Sequence, residues 1–284
     1  MTSEPSPTPN GPHSPDVPPS ICFIGGGQMA RALAGGMLSS GLVKEPNLTV
    51  VDPSADSAQW WAQTHPEVSF HQSMEDASPL AKIVVLAVKP NVIMAATDQP
   101  AGTWQGRLVI SIAAGVSLKQ LTTNIHHDRI VRVMPNSPSL VGQGASAYCV
   151  GEGVQTTDMD VVESLLRAVG ECVRVDESQM DAVTGLSGSG PAYIFTIIEG
   201  LADGGVSAGL SRSLAMKLAT QTVLGAASMV HQTGRHPGEL KDAVASPGGT
   251  TIAGLNVLES RAIRSAMAEA VKAATRRSHE LGQS

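Results

Sequence analysis

The stretch SPGGTT at positions 246–251 has the residue types and spacing of an anion-binding loop. Helical sequence flanks it on both sides, and a proline followed by two glycines would break a continuous helix. Gly248 and Gly249 allow backbone conformations that turn successive N–H groups to one side, and such a nest before a helix binds a small carboxylate. Taken alone, the stretch favours the alternative of a plain helix–loop–helix corner with a hydroxyl N-cap. We assign substrate binding to Ser246, Gly248, Gly249, Thr250 and Thr251.

A second stretch, GGGQMA at positions 25–30, follows the apolar run ICFI and opens a helical pattern. Gly25 suits a tight turn, Gly27 lets the backbone approach a pyrophosphate, and Ala30 replaces a third glycine where helix and strand pack. The helix start supplies free N–H groups and the positive end of the helix dipole. A lone motif of this kind is also found in ordinary strand-to-helix turns. The flanking strand, the helix and an acid at the end of the next strand together predict dinucleotide binding.

That acid is Asp52, and its position bears on the choice of cofactor. A carboxylate at the end of the second strand accepts hydrogen bonds from the ribose 2′-OH, which favours NAD. The stretch from Asp52 to Asp56 contains no arginine, although Ser54 could bond a 2′-phosphate. The residues therefore predict dual use of the two cofactors, leaning towards tolerance of NADH.

Three further loops follow strands of the predicted sheet, where ligands bind in open α/β folds. Lys89 would face the cofactor's adenosine and phosphates, or else be a solvated surface lysine. The residues at the end of the run at 106–115, Ile112 to Gly115, include nothing bulky and leave room for the nicotinamide ribose. Asn136 offers an amide to the carboxamide or substrate, or else forms an Asx turn. The positions assigned to cofactor binding are Gly25, Gly26, Gly27, Gln28, Met29, Asp52, Ser54, Ala87, Val88, Lys89, Pro90, Ile112, Ala113, Ala114 and Asn136.

Short apolar runs predict the strands that must position these loops. They are ICFI (21–24), NLTVVD (47–52), AKIVVLAVKP (81–90), GRLVISIAAG (106–115), DRIVRVMPNSP (128–138), ASAYCV (145–150) and ECVRV (171–175). Strands that alternate with helices at this spacing predict a doubly wound parallel sheet. We divide the chain into a disordered Pro-rich tail (1–19), a nucleotide-binding domain (20–176) and a helical domain for dimerisation and substrate binding (177–284).

The helical part carries long Ala-rich amphipathic stretches. Pro191 suits the first turn of one helix, and Ser211 and Gly234 suit the N-cap and the stop of the next. The apolar residues exceed what a small bundle can bury, which predicts a homodimer interface. The alternative is a helical bundle that buries these residues within one chain, because the apolar residues of an interface and of a core form the same sequence pattern.

Composition excludes several classes of function. Among 284 residues, 42% are hydrophobic, the net charge is −6 and no block of Lys and Arg occurs, which argues against nucleic acid or an acidic membrane as partner. Cys22, Cys149 and Cys172 are scattered without metal-ligand spacing, so we predict reduced thiols and no metal. The first nineteen residues lack the features of a signal peptide, and no stretch of 18 apolar residues occurs. We expect a soluble, cytoplasmic protein.

Several segments, in order from residue 21 to the C-terminal helices, resemble the pyrroline-5-carboxylate reductase family. They are IGGGQMARAL, LAVKP, SIAAGVSL, VMPNSP, GLSGSGPAY and HPGELKDAVASPGGTTI. The resemblance implies an α/β protein, with an N-terminal Rossmann-type doubly wound sheet followed by an all-α dimerisation domain. It implies reduction of 1-pyrroline-5-carboxylate to L-proline by NADP(H) or NAD(H), substrate contact by the SPGGTT loop, and a homodimer that can build higher oligomers. Many members carry a hydroxyl or Asn-Arg where this chain has Asp52, which argues against a strict preference for NADP.

That chemistry needs few catalytic groups, because a protonated imine is already electrophilic and the protein mainly positions the reactants. A hydroxyl can donate to an imine nitrogen or accept from an iminium N–H, so we assign Thr251 as the catalytic residue, with solvent as the alternative proton source. The rivals are a β-hydroxyacid dehydrogenase-like enzyme, another imine reductase and a non-catalytic NADP-sensing protein. Those dehydrogenases place a catalytic lysine on the first long helix of the second domain, and AYIFTIIEGLADGG contains none.

Overall fold

The computed structural model describes residues 20–77 and 81–283, so the predicted tail over residues 1–19 lies outside the described part of the chain. The chain forms two compact units. The first comprises residues up to Val133 together with Ser139–Glu177, and the second comprises Met134–Pro138 together with residues from Ser178 on. The sequence places the domain boundary at 176/177, and it assigns residues 134–138 to the first domain.

The first unit is built on an eight-stranded sheet in the described residues, with the order β3-β2-β1-β4-β5-β6-β7-β8. Its strands are β1 (Ile21–Ile24), β2 (Leu48–Val51), β3 (Ser69–His71), β4 (Ile83–Leu86), β5 (Leu108–Ser111), β6 (Ile130–Met134), β7 (Gly144–Val150) and β8 (Gly170–Arg174). The pairs from β3 through β6 are parallel, as is the pair β7–β8. Ile21 is in register with Leu48 on one side and Ile83 on the other, so the strand order reverses between β1 and β4.

Helices cover both faces of this sheet. They are α1 (Gln28–Ser39), α2 (Ala55–Thr64), α3 (Ile93–Thr97), α4 (Leu118–Ile125) and α5 (Thr156–Arg167). Every residue of β1, β4 and β5 is buried, as expected for central strands of a parallel sheet. Alternate residues of β1 enter different cores: Phe23 packs in the cluster that contains Leu33 of α1, and Cys22 packs in the cluster that contains Leu121 of α4.

The doubly wound sheet confirms the predicted fold class, and all seven predicted strands are present. The sequence prediction missed β3, because Ser69-Phe70-His71 has only one apolar residue and lies at the edge of the sheet. An edge strand buries less surface than a central strand, so it does not need a continuous apolar run.

The second unit is helical. Its elements are α6 (Met180–Val183), a π-helical turn (Thr184–Gly188), α7 (Gly190–Ser207), α8 (Arg212–Thr233), α9 (Pro237–Ala243), α10 (Thr250–Ser260) and α11 (Ile263–Gln283). Pro191 lies in the first turn of α7, and the Ser211 hydroxyl caps α8 by accepting from the Leu214 amide. Gly234 ends α8 with a φ of +62°. The sequence reads as one helix beyond Thr250, whereas the structure interrupts it at Ala262, whose φ is +52°.

Large apolar side chains remain exposed on the helical unit. Phe195 is 62% exposed, Leu224 is 56% exposed and Val257 is 60% exposed. This is the surplus from which the sequence predicts a subunit interface. Within the described residues, no helix is long and apolar enough to cross a membrane. The same residues contain no group of three or more His, Cys, Asp or Glu side chains that could hold a metal ion.

Candidate functional site

The glycine loop between β1 and α1 is fixed first by Gly25. Its φ is +100°, and a Cβ atom there would lie 2.7 Å from the carbonyl carbon and oxygen of Ala87. The Gly25 amide donates to the carbonyl of Val51 at 2.8 Å, and the Ala87 amide donates to the carbonyl of Ile24 at 2.7 Å. Because the loop passes so close to the end of β4 in a left-handed conformation, only glycine is accommodated without strain.

Both polar backbone groups of Gly26 are held by side chains. Its amide donates to Oδ2 of Asp52 at 2.6 Å. Its carbonyl accepts from Nε of Arg31, Oγ of Ser57 and Nε1 of Trp61, each at 3.1 Å. The loop is therefore shaped by α1 and α2 as well as by its own glycines.

Gly27 leaves space at the N-terminus of α1. It is the N-cap residue, with a φ of −73° and no side-chain cap, so the first amides of the helix keep their hydrogen-bonding capacity. A Cβ atom on Gly27 would meet nothing within 4 Å. Gln28 is exposed, whereas Met29 packs partly against the core and offers only its backbone. Open space in front of free N–H groups at the positive end of a helix suits a pyrophosphate.

Asp52 and Ser54 are engaged in the turn after β2. Oδ1 of Asp52 accepts from the Ser54 amide at 2.8 Å, and the Ser54 hydroxyl caps α2 by accepting from the Ser57 amide at 3.3 Å. Both carboxylate oxygens of Asp52 thus hold backbone amides, although each oxygen can accept a further bond. Asp52 builds the loop as well as standing where the adenosine ribose binds in proteins of this architecture.

The other cofactor-binding positions follow β4 and β5 at the same edge of the sheet. Ala87 and Val88 are half-buried, Lys89 is exposed, and Pro90 begins a short 3-10 turn. Ile112 is half-buried and Ala114 is exposed, but the Ala113 side chain is buried and leaves only backbone for a ligand. Their role in binding remains a prediction.

Asn136 lies in the helical unit rather than with the glycine loop. The residue is 7% exposed, and Nδ2 donates to the carbonyl of Ser187 at 3.0 Å. Ser187 belongs to the π-helical turn, where its hydroxyl bonds the carbonyl of Val183. The amide of Asn136 therefore fastens the segment 134–138 to this turn, and its predicted contact with nicotinamide or substrate is untested.

The SPGGTT loop is a tight turn that opens α10. The Gly249 amide donates to the Ser246 carbonyl at 3.1 Å, and Gly248 has a φ of +67°. Proline followed by a glycine with positive φ is the pattern of a type II turn. Gly249 is the N-cap with an ordinary φ of −79°, and its need for glycine is steric, because a Cβ atom would lie 2.3 Å from Oγ of Ser246.

No side chain caps α10, so the amides of its first turn, including those of Thr250 and Thr251, can receive an anion. The loop is largely exposed, with Gly249 and Thr251 half-buried. These are the groups that the sequence assigns to substrate, and the turn brings them to one helix end.

The buried thiols offer no nucleophile. Burial raises the pKa of the Cys22 thiol to about 12 and that of Cys149 to about 11. Both sulfurs stay protonated at neutral pH, and a protonated thiol is a poor nucleophile.

Sequence reasoning missed Arg31, Ser57 and Trp61 as residues that shape the glycine loop. A helix in a doubly wound fold normally buries apolar residues on its sheet-facing side. Ser57 is buried in α2 beside Trp61, and a buried hydroxyl needs a partner. That partner, the Gly26 carbonyl, is 31 residues away in the chain.

A sheet of this order, parallel from β3 through β6 and with a glycine loop opening α1 beside the point where the order reverses, defines a dinucleotide-binding protein of the Rossmann class. The family model described as pyrroline-5-carboxylate reductase dimerisation matches residues 177–281, and the one described as NADP oxidoreductase, coenzyme F420-dependent, matches residues 20–115. The chain belongs to the pyrroline-5-carboxylate reductase family.

Individual relatives support this assignment over nearly the whole chain. The pyrroline-5-carboxylate reductase of Arabidopsis thaliana is 46% identical over 93% of this chain and 96% of its own, and that of Escherichia coli K12 is 40% identical over 93% and 98%. The solved pyrroline-5-carboxylate reductase of Coxiella burnetii has a TM-score of 0.87 at 36% identity, covering 94% of this chain and all of its own. Plasmodium falciparum pyrroline carboxylate reductase with NADP bound has a TM-score of 0.84 at 34% identity, covering 93% and 98%.

Proposed function

We propose that this protein reduces 1-pyrroline-5-carboxylate to L-proline with NADPH, and with NADH as a second cofactor. The observation that carries the proposal is the uncapped start of α10 behind the SPGGTT turn, in a chain that also has a glycine loop for a dinucleotide. Family membership and the Plasmodium relative with NADP bound support the choice of reaction and cofactor.

The residues around the glycine loop fit the cofactor. Gly25 and Gly27 form the cradle, because one allows the close turn and the other leaves the space for a pyrophosphate. When bound, NADPH would supply the hydride for reduction of the C=N bond. The chain's own part is to bind the phosphates at α1 and to keep the loop in one shape through Asp52, Ser57 and Trp61.

We assign the substrate carboxylate to the amides at the start of α10. The hydroxyl of Thr251 would then serve the imine nitrogen, as donor to the neutral imine or acceptor from the iminium N–H. Ser246 closes the turn by accepting from the Gly249 amide at 3.1 Å, and its Oγ lies 2.3 Å from where a Cβ on Gly249 would be. Most of the rate enhancement in this scheme comes from holding substrate and cofactor in a reactive orientation.

The test is NADPH oxidation with 1-pyrroline-5-carboxylate by the wild type and by Thr251→Ala and Thr251→Ser. We expect wild-type turnover, a loss of roughly 100-fold in kcat/KM for Thr251→Ala, and substantial recovery in Thr251→Ser. No turnover by the wild type would overturn the proposed function. An undiminished rate in Thr251→Ala, with normal wild-type turnover, would remove only the role of Thr251.

Assembly and location complete the proposal. The match of residues 177–281 to the family's dimerisation model supports a homodimer, and we propose that dimers associate further in solution. Light scattering at micromolar concentration should give more than twice the 29.3 kDa chain mass; a mass of one chain would contradict the dimer, and a mass of two chains would contradict further association. We also propose a cytoplasmic location, which fractionation of cells can test.

The rival functions have little support in the chain. A β-hydroxyacid dehydrogenase would need a lysine early in the first long helix of the second unit, and α7 has no lysine. A non-catalytic NADP sensor would not need an uncapped helix start behind a glycine turn. Screening hydroxyacids and other cyclic imines beside pyrroline-5-carboxylate separates these alternatives.

A further inference from the structure

The turn after β2 lacks the positive charge that NADPH would require there. NADPH differs from NADH by a 2′-phosphate on the adenosine ribose, and the ribose lies at the end of the second strand in this architecture. In this chain the turn runs Asp52-Pro53-Ser54-Ala55-Asp56, with two acids and no cation. Any cation for the 2′-phosphate must therefore come from another element.

Arg31 of α1 reaches this place. Its Nε donates to the Gly26 carbonyl at 3.1 Å, and Oγ of Ser57 donates to the same oxygen at the same distance. Ser57 lies in the first turn of α2, where its amide bonds the Ser54 hydroxyl. The guanidinium therefore lies beside the start of α2, and the other end of the Gly26 residue is bonded to Asp52.

The Arg31 side chain is also oriented for a ligand. Its guanidinium carbon lies 4.4 Å from the centroid of the Trp60 ring, in a cation–π contact. Within the described residues, hydrogen bonding involves only Nε, so both terminal nitrogens are available. Arg31, Gln28 and Trp60 line one part of an open cavity of about 500 Å³, which extends along α1 to Ser39. A guanidinium held by an aromatic ring and one hydrogen bond, with both terminal nitrogens available, suits bidentate binding of a phosphate.

We propose that Arg31 determines the preference for NADPH by binding the 2′-phosphate, with the start of α2 completing the site. The inference rests on the proposed function. Each cofactor is recognised by a different residue. Asp52 binds the ribose 2′-hydroxyl of NADH, and Arg31 binds the 2′-phosphate of NADPH. This arrangement explains how a chain with an acid after β2 can use a cofactor that carries an additional negative charge.

The decisive experiment measures binding without turnover. Calorimetric titration compares adenosine 2′,5′-bisphosphate with 5′-AMP on the wild type, Arg31→Met, Arg31→Lys and the control Lys44→Met, an exposed cation before β2. We expect the wild type and the control to bind the bisphosphate at least tenfold more tightly than 5′-AMP. Arg31→Met should bring the two affinities to within about threefold, and Arg31→Lys should keep part of the difference.

A structural role for Arg31 gives a different result, because bracing Gly26 matters equally for both ligands. If Arg31→Met weakens the binding of the bisphosphate and of 5′-AMP equally, or leaves the ratio of the two affinities unchanged, the proposal is overturned. Kinetics give a second reading: KM for NADPH should rise by tenfold or more in Arg31→Met, while KM for NADH stays within about twofold. Failure of the wild type to bind the bisphosphate would overturn this inference alone, because the turnover assay tests the proposed function separately. Should Arg31→Met not fold, Arg31→Gln gives the same comparison.

Discussion

Arg132 and Glu177 form an ion pair with 3.2 Å between Nη1 and Oε1. Arg132 lies two residues before Met134, where the chain first leaves the nucleotide-binding unit, and Glu177 is the last residue of that unit. The same Oε1 atom accepts from the amide of Leu118, the first residue of α4, at 2.6 Å. The Glu177 carboxylate thus bonds to the strand next to one point where the chain leaves this unit, lies at the other such point, and accepts from the first amide of α4.

Removal of the Glu177 carboxylate should destabilise the protein. In Glu177→Ala the Arg132 guanidinium, 8% exposed, would remain buried without its partner, and the Leu118 amide would lose its acceptor. We expect a loss of about 2–3 kcal/mol, below the figure for a fully buried pair because Glu177 is 36% exposed. Urea denaturation at fixed protein concentration measures it. Glu177→Gln should lose less, and Glu171→Ala, an exposed acid on β8, should change little; equal midpoints for Glu177→Ala and Glu171→Ala would contradict the prediction.

Substitutions of two glycines in the nucleotide loop should have different effects: Gly25→Ala should lower stability, and Gly27→Ala should lower the affinity for NADPH. Gly25→Ala meets the backbone of Ala87 at a φ of +100°, so we expect a loss of about 2–4 kcal/mol in unfolding free energy. Gly27→Ala meets nothing within 4 Å at a φ of −73°, so stability should change by less than about 1 kcal/mol. NADPH affinity should nevertheless fall by roughly tenfold or more, because the new methyl group occupies the space for the pyrophosphate. A Gly27→Ala protein with wild-type affinity would refute the phosphate assignment.

Stability at low pH should depend on Asp158. Hydrogen bonding by Arg129, at 2.8 Å and 2.6 Å, holds the pKa of the buried Asp158 carboxyl below its usual value of 3.8. A lowered folded-state pKa contributes stability that is fully present above the unfolded value and is lost as pH falls through the folded value. Asp158→Asn should therefore cost about 1–3 kcal/mol at pH 7, and this difference should shrink below about pH 4.

Urea midpoints at pH 7, 5, 4 and 3 test this dependence. Asp160→Asn on the exposed side of α5 is the matched control and should show no such trend. A difference between wild type and Asp158→Asn that stays constant down to pH 3 would show that the ion pair does not contribute.

Ala262 provides a site for stabilisation. It joins α10 to α11 with a φ of +52°, which costs an L-residue about 1–2 kcal/mol. After allowance for the greater freedom of glycine in the unfolded chain, Ala262→Gly should gain about 0.5–1 kcal/mol. Ala273→Gly, inside α11, should lose a similar amount. Thermal unfolding of both variants gives the comparison, and a destabilised Ala262→Gly would mean that the left-handed turn is not strained.

The sheet and the two loops were predictable because their signals are local. Buried central strands are recognisable as apolar runs such as ICFI, and glycines next to helical sequence mark the turns before α1 and α10. The edge strand β3 carries too few apolar residues to stand out, and the turn at Ala262 has neither glycine nor proline to mark it. A pattern of helix periodicity continues across such a turn, so one helix was predicted where two exist.

The polar contacts were beyond prediction because they join distant positions. The contacts of Gly26 with Asp52, Ser57 and Trp61 span 26, 31 and 35 residues. Residue type and position predict that Asp52 serves the ribose, which stays a prediction, and only the structure shows that its oxygens hold two backbone amides. The pairing of Arg132 with Glu177 likewise depends on the sheet that brings them together.

Because side chains of α2 donate to the Gly26 carbonyl, the nucleotide loop would not keep its structure if it were grafted alone onto another sheet. A designer who moved residues 21–40 to another sheet would carry the glycines and Arg31 but leave Ser57 and Trp61 behind. Arg31 would then be the one remaining side-chain donor to the Gly26 carbonyl, so the graft would hold its backbone less firmly before a ligand binds. A graft of the glycine loop that keeps its conformation must therefore include the chain as far as the end of α2.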